Sequence, residues 1–400
     1  MIFNPLLAMV VSYPLGIGAQ TLVAVVSISI IFYQYFRRGP VADAPKLTVG
    51  AEWWPLGLAL AFLGWGLVSD YLNPVVNMQW EHPVGYLSWA LLPWLVAVLR
   101  PRWDEAQLKK ITTAAAIVVG LWGLVVLSQS IWGWRIAGVS FVPDLTRPRG
   151  FYSHPLTLAY ASLLLMPLAL RWPYMEPRNP RAWVFSLGVG LAIATTYSRS
   201  VLAVTAVCLF WNVLTIKTRL RPLLIAICLV GGGLAMVTEN PLSLRFHRML
   251  SEKGEDRMSD YPDDRLAFWH AHWEMIKERP VVGHGGPMNT AYRVPYYERL
   301  GLGDFERQYE AHNEYIQVLA DKGIIGLILF FAWLGWLWVQ IRHLPKGHAR
   351  SICSQTFCFF LLACLSQNGF HDSEVRTGVT LFSVAVLIYS GVLREKATLS

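Results

Sequence analysis

Charged side chains are scarce in this chain of 400 residues, where Asp, Glu, Lys and Arg together make up 15%. Soluble domains carry roughly a quarter, so most of this chain cannot be water-facing surface, which excludes the usual soluble enzyme classes. Hydrophobic residues make up 54%. The apolar runs do not alternate with polar residues, as the strands of an outer-membrane barrel would. We therefore predict an all-α integral membrane protein, a polytopic helical bundle whose backbone hydrogen bonds are made internally.

The sequence also lacks patterns typical of disulfides, metal sites and nucleotide-binding sites. The five cysteines all fall in apolar runs, where they behave as small hydrophobes and not as disulfides or metal ligands. His270 and His272 are two residues apart, so on a helix they point to different sides and do not form a paired-histidine zinc site. The glycine stretch 282–287 has no preceding strand and no following Gly-Lys-Ser, which favours a plain turn over a phosphate loop. We expect no metal and no cofactor.

About twelve membrane spans fit the apolar runs. They lie at 2–19, 21–36, 54–69, 84–99, 111–128, 153–171, 183–198, 200–216, 222–238, 324–341, 352–369 and 376–393. Every second loop is basic, which places both termini in the cytoplasm and explains the net charge of +8 without nucleic acid. The predicted organisation is nine spans in 1–238, a large periplasmic loop at 239–311, and a His-bearing helix with three spans in 312–400.

Two helices are predicted at the end of the long loop. The first runs from Asp264 to Arg279 and ends at Pro280, and the second is headed by His312 and stops at Gly323. On each helix, one set of residues lies along a single face and forms a stripe. The stripes are Arg265, Phe268, Trp269, His272 and Ile276 on the first, and His312, Tyr315, Ile316 and Leu319 on the second.

His312 is the candidate general base. The positive field at a helix start disfavours imidazolium, so the ring is expected to stay neutral and able to accept a proton at the membrane surface. The alternative is an interfacial histidine satisfied by a neighbour.

The arginines on the predicted outer side are candidate anion ligands. Arg199 lies between two spans with almost no loop, Arg265 lies on an otherwise apolar stripe, and Arg147 and Arg149 flank Pro148. Guanidinium groups suit phosphate or pyrophosphate, because they bind it with paired hydrogen bonds. The alternatives are snorkelling for Arg199, an ion pair with Asp263 or another acid for Arg265, and plain solvation for Arg147 and Arg149. His371, beside Asp372, lines the same cavity or lies in a solvated turn.

Four sequence features in order resemble the O-antigen ligase and polymerase superfamily of bacterial inner membranes. They are the Arg-led helix at 264–269, the Pro-x-x-Gly-x-Gly turn at 280–285, His312-Asn313, and the Gly-x-x-Gly that opens a span at 323–326. Two further pieces, 147–154 and 197–200, are similar to the superfamily's segments beside spans. The resemblance covers roughly residues 145–370.

Within that superfamily the chain is most similar to the ligases that finish lipopolysaccharide. The resemblance implies a twelve-span bundle that transfers an O-antigen glycan from undecaprenyl pyrophosphate to a sugar hydroxyl of lipid A–core, without a metal and with inversion. His312 would be the base, and Arg265 and Arg199 would bind the pyrophosphate. Further substrate contacts are expected at Arg147, Arg149, His154, Asn313, Tyr315 and His371. The partners would be the lipid-linked donor, lipid A–core and membrane lipid, and we expect a monomer with its active site on the periplasmic side.

Two rival functions stay open. An O-antigen polymerase, which would extend lipid-linked glycan, shares the motifs. A lipid or solute transporter would need charges along a route, whereas the arginines here cluster on one predicted side of the membrane.

Overall fold

The computed structural model describes residues 5–15, 53–73, 105–133, 148–215 except 153 and 197, 264–285, 293–301 and 310–398, with scattered positions in 20–29 and 86–96. Throughout these residues the chain is helical or in turns, and they contain no strand. The all-α prediction is therefore confirmed for the described part of the chain. The predicted span at 222–238, Asp263 and Arg147 lie outside the described residues.

The described helices are numbered in chain order. They are α1 Pro5–Ser12, α2 Trp54–Tyr71, α3 Glu105–Trp132, α4 Pro155–Met175, α5 Pro180–Thr195, α6 Arg199–Thr215, α7 Asp264–Glu278, α8 Val294–Arg299, α9 Glu314–His343, α10 His348–Ala363 and α11 Ser373–Thr398. A short 3-10 helix, Tyr13–Leu15, follows α1. These two elements lie within the span predicted for 2–19.

Among the residues that the structure describes, three helices are long and apolar enough to cross a membrane: α4, α9 and the Lys109–Trp132 part of α3. Shorter apolar helices lie at Pro180–Thr195, Ser200–Thr215 and Val375–Leu387. Large apolar side chains on α3 such as Leu121 and Leu124 are exposed, as expected for a helix that contacts lipid.

α4 lies at the centre of the bundle, where it packs against α5, α6, α10 and α11. Pro155 starts this helix, and the His154 side chain caps it by accepting a hydrogen bond from the Leu156 amide at 3.1 Å. α3 and α5 pack most closely at Gly123 and Gly188, where an added Cβ would overlap backbone atoms. Small residues allow such backbone contact between helices in a membrane.

An aromatic cluster fixes the connecting turn, which we define as residues 364–372 between α10 and α11. The Phe370 ring lies 4.8 Å from Trp89 and 5.3 Å from Phe330, measured between ring centroids. Phe370 is fully buried. A residue of the turn is therefore anchored inside the core, so the turn has a fixed position relative to α9.

α9 is broken at Gly323, whose backbone has φ 63° and ψ −169°. The 280–285 turn crosses this break and supplies the hydrogen bonds that the helix loses there. The amides of His284 and Gly285 donate to the carbonyls of Ala320 and Asp321 at 3.0 and 2.8 Å, and the Ile324 amide donates to the Pro280 carbonyl at 2.9 Å. The predicted stop at Gly323 is confirmed, and these amides of the glycine turn serve the fold.

α2 is tied to the same crossing by three side chains. The Trp65 indole donates to the Lys322 carbonyl at 2.8 Å, Ser69 to the Val282 carbonyl at 2.7 Å and Asn73 to the Gly283 carbonyl at 3.3 Å. The break in α9 is thus fixed from two directions.

We expect Gly323→Ala to destabilise the protein by at least about 1–3 kcal/mol, because this backbone conformation is almost restricted to glycine. An added Cβ would also overlap the Val281 carbonyl. Thermal unfolding of the detergent-solubilised protein measures the change. Gly335→Ala is the matched control, since it lies in the same helix with nothing within 4 Å of the new Cβ. Equal unfolding temperatures for the two variants would contradict the structural account of the break.

Candidate functional site

His312 precedes α9 and does not head it. The helix begins at Glu314, and Asn313 is its N-cap, with a side-chain oxygen that accepts from the amides of Tyr315 and Ile316 at 3.0 and 3.2 Å. The prediction of a helix headed by His312 is therefore wrong by two residues, because the asparagine side chain takes the capping role that Asn favours.

The backbone at His312 is held in an unusual conformation. Its φ is 47°, and it is the one non-glycine residue with positive φ in the part of the chain that the structure describes. Ala311 is fixed just before it, because its carbonyl accepts from the Trp269 indole at 2.9 Å and its amide donates to Gln317 Oε1 at 2.8 Å. Non-glycine residues in this region are uncommon and are often found at functional sites.

The His312 ring lies between α7 and the connecting turn. Its centroid is 5.7 Å from that of Phe268 on α7, and its Nδ1 lies 3.0 Å from Gln367 Oε1 on the turn. The side chain is half-buried. A ring that is oriented on two sides and still partly accessible is suited to proton transfer with an incoming hydroxyl.

His371 lies between two buried carboxylates. Its Nδ1 is 2.6 Å from Glu314 Oε1, its Nε2 is 3.7 Å from Asp321 Oδ2, and its side chain is 7% exposed. Glu314 also accepts from the Phe370 amide at 2.8 Å. The alternative of a solvated turn for His371 is therefore wrong, and this residue ties the start of α9 to the connecting turn.

Arg293 makes a buried ion pair with Asp321, one of the two carboxylates beside His371. Its Nη2 lies 3.0 Å from Asp321 Oδ1, and both side chains are 0% exposed. Gln317 donates to the other Asp321 oxygen at 2.8 Å. Sequence reasoning missed Arg293, because no local pattern marks it and its partner lies 28 residues further along the chain.

His272 is buried beside these groups and remains uncharged. Burial, together with the charge of Arg293, lowers its pKa to about 4. Its Nδ1 donates to the Phe268 carbonyl at 2.8 Å. His270 is exposed and lies 3.6 Å from Glu274, so the two histidines do point to different sides of α7. Among the described residues there is no group of three His, Cys, Asp or Glu side chains placed to hold a metal.

A cluster of hydroxyl groups connects the arginine-bearing elements to the connecting turn. The Tyr160 hydroxyl on α4 lies 2.8 Å from Ser200 Oγ and 2.8 Å from Ser366 Oγ. Ser200 directly follows Arg199 at the start of α6, and Arg265 lies within electrostatic range of Tyr160. Sequence reasoning did not find these hydroxyls, which lie in or beside apolar runs.

The structure thus brings together the start of α6, the Arg265 side of α7, and His312. Arg265 is half-buried and lies one helical turn from Phe268, which contacts the His312 ring. The backbone of Arg199 starts α6, while its side chain lies outside the described residues.

The other predicted contacts divide into two groups. Asn313 and Tyr315 serve the local fold, since Tyr315 donates to the Leu361 carbonyl at 2.8 Å and Asn313 to the Leu365 carbonyl at 3.1 Å. His154 and the half-buried Arg149 lie at the start of α4. That helix start is close to the connecting turn, because Thr157 donates to Asp372 Oδ2 at 2.6 Å.

Comparison with known families gives a match that covers part of this site. Residues 183–331 match the family described as O-antigen ligase. The resemblance seen in the sequence is thereby confirmed for this segment. It contains Arg199, Arg265 and His312, whereas the connecting turn lies beyond it.

A curated protein of Rickettsia felis named "Putative polysaccharide ligase" is 23% identical over 129 residues, which are 31% of this chain and 31% of that protein. The chain thus aligns with about a third of that relative's length. Together with the apolar helices, these similarities indicate a membrane protein with a segment similar to the O-antigen ligase family.

Proposed function

We propose that the protein transfers a glycan from undecaprenyl pyrophosphate to a sugar hydroxyl of lipid A–core. The observation that carries the proposal is the meeting of His312, the Arg265 side of α7 and the start of α6 around the connecting turn. Residues 183–331, which include Arg199, Arg265 and His312, match the O-antigen ligase family, and this match supports the same reaction class.

In the proposed reaction His312 removes the proton of the acceptor hydroxyl as its oxygen attacks the anomeric carbon of the donor. The new bond forms on the face opposite the pyrophosphate, so the configuration at that carbon inverts. The bond to the pyrophosphate breaks, and its electron pair leaves with that group. Arg265 and Arg199 stabilise the growing negative charge. Pyrophosphate is a good leaving group, so positioning, one base and cationic stabilisation suffice without a metal or cofactor.

The proposed membrane topology is based on the alternation of basic loops and on the apolar helices. About twelve spans would cross the bacterial inner membrane with both termini in the cytoplasm. Residues 1–238 would form the first nine spans, 239–311 a periplasmic loop, and 312–400 the base with three further spans. The site would then open to the periplasm in a monomer. Arg147, Arg149 and His154 would contact substrate from the start of α4.

Arg265→Ala should lower the rate of glycan transfer by about 10²–10³-fold, the usual cost of losing one donor aimed at developing charge. The initial rate with purified protein, lipid-linked donor and lipid A–core is the measurement. Lys277→Ala is the matched control, because Lys277 lies on the same helix, is exposed and pairs with Glu274 at 2.7 Å. A variant without Arg265 that keeps full activity would remove this residue from the proposed site.

The reaction type is tested by reconstituting the purified protein in vesicles with defined substrates. The proposal predicts a glycan covalently joined to lipid A–core, and no product when that acceptor is omitted. Longer lipid-linked glycans formed without lipid A–core would instead show a polymerase. Movement of the donor across the vesicle membrane without a new glycosidic bond would show a transporter.

A further inference from the structure

The hydrogen bond between the connecting turn and His312 defines which ring nitrogen is basic. Gln367 Oε1 lies 3.0 Å from His312 Nδ1. A carboxamide oxygen only accepts hydrogen bonds, so Nδ1 carries the hydrogen and the lone pair lies on Nε2. We propose that Gln367 is a positioning residue that fixes this tautomer and orients Nε2 toward the acceptor hydroxyl. The proposal rests on the function proposed above.

Gln367 is well placed for this role because the turn that carries it is fixed on both sides. It is 8% exposed. The preceding residue, Ser366, is bound to Tyr160, and the following residue, Asn368, donates to Glu310 Oε2 at 3.0 Å. The amide therefore has little freedom to turn away from the histidine.

The neutral charge of Gln367 matters as much as its position. A carboxylate at this position would also accept from Nδ1, but it would favour the imidazolium, which cannot act as a base. In the part of the chain that the structure describes, the charged and titratable groups near His312 include Arg265 and His272 on α7, Glu310 and Glu314 beside His312, the buried pair of Asp321 and Arg293, and His371 and Asp372 on the connecting turn.

Several of these groups have other partners, Glu310 among them, since it accepts from Asn368. Glu314 is bound to His371 and to the Phe370 amide. Burial lowers the pKa of His272 to about 4, which keeps it neutral. Gln367 is the residue whose hydrogen bond to the His312 ring the structure shows directly.

Two substitutions separate positioning from a purely structural role. Gln367→Glu keeps the acceptor but adds charge, so the acidic limb of the pH–rate profile should move to higher pH by about one unit or more. Activity should recover at alkaline pH. Gln367→Met loses the acceptor, so kcat should fall about 10-fold or more while KM stays within about twofold. The control is Gln340→Met, which removes another buried amide near the far end of α9 and should leave both constants unchanged.

A direct measurement of the tautomer needs no substrate. Nitrogen NMR of the ¹⁵N-histidine-labelled protein, with the His312 signal assigned from a His312→Ala sample, should show hydrogen on Nδ1 in the wild type. The Gln367→Met protein should show a mixture of both tautomers. Hydrogen on Nε2 in the wild type, or an unmoved pH profile in a folded Gln367→Glu protein, would overturn the proposal. Failure of the wild type to transfer glycan would count against the proposed function and would leave the tautomer result standing.

Discussion

His312→Ala should lower the rate of glycan transfer by about 10²–10⁴-fold, the usual contribution of a positioned general base. This expectation follows from the proposed role of the ring, which contacts Gln367 and Phe268 and remains partly accessible. KM should change little, since the ring acts mainly on the proton that moves in the transition state. Initial rates over a range of donor concentrations separate the two constants.

The matched control for this experiment is His270→Ala. His270 lies on the neighbouring helix α7, is exposed, and lies 3.6 Å from Glu274 away from the proposed site. Its removal should leave the transfer rate unchanged. A His312→Ala protein that is folded and as fast as the His270→Ala protein would show that another group accepts the proton.

Arg293→Met should destabilise the protein by about 3–5 kcal/mol, because it leaves the buried Asp321 carboxylate without its cation. Both side chains are 0% exposed and lie 3.0 Å apart, so water cannot take the place of the guanidinium. The measurement is the thermal or denaturant unfolding of the protein in detergent micelles. Arg299→Met is the control at the other end of α8, which Arg293 directly precedes, since Arg299 is exposed and stacks on the Tyr296 ring.

A second substitution tests the physical cause of that loss. Breaking a buried ion pair from one side costs more than replacing both partners, because no uncompensated charge is then left. The Arg293→Met, Asp321→Leu double variant should therefore be more stable than Arg293→Met alone. A double variant whose loss equals the sum of the two single losses would show that the pair contributes through separate contacts.

Local signals in the sequence predicted much of the fold around the site. The apolar runs gave the positions of α5 and α6 within a few residues of the observed Pro180–Thr195 and Arg199–Thr215. Pro280 correctly marked the end of α7. Gly323 correctly marked a break in α9, because only glycine readily adopts its backbone conformation. These features depend on neighbouring residues, so a single sequence reveals them.

The long-range contacts of the site could not be predicted from the sequence. Tyr160 meets Ser200 and Ser366 from positions 40 and 206 residues away. Gln367 reaches His312 across 55 residues. Uncharged polar residues of this kind are common in membrane helices, and no periodicity indicates which of them meet. The helix start, by contrast, could have been placed correctly, since Asn313 is a favoured capping residue directly after His312.

The configuration of the new glycosidic bond is the sharpest test of the proposed inverting transfer. Purified protein would be incubated with a lipid-linked glycan of known anomeric configuration and with lipid A–core, and the product would be analysed by NMR. The proposed inverting transfer predicts a single new bond to lipid A–core with the opposite configuration at the anomeric carbon. Retention of the donor's configuration, or a lipid A–core fraction that never gains the glycan, would contradict it.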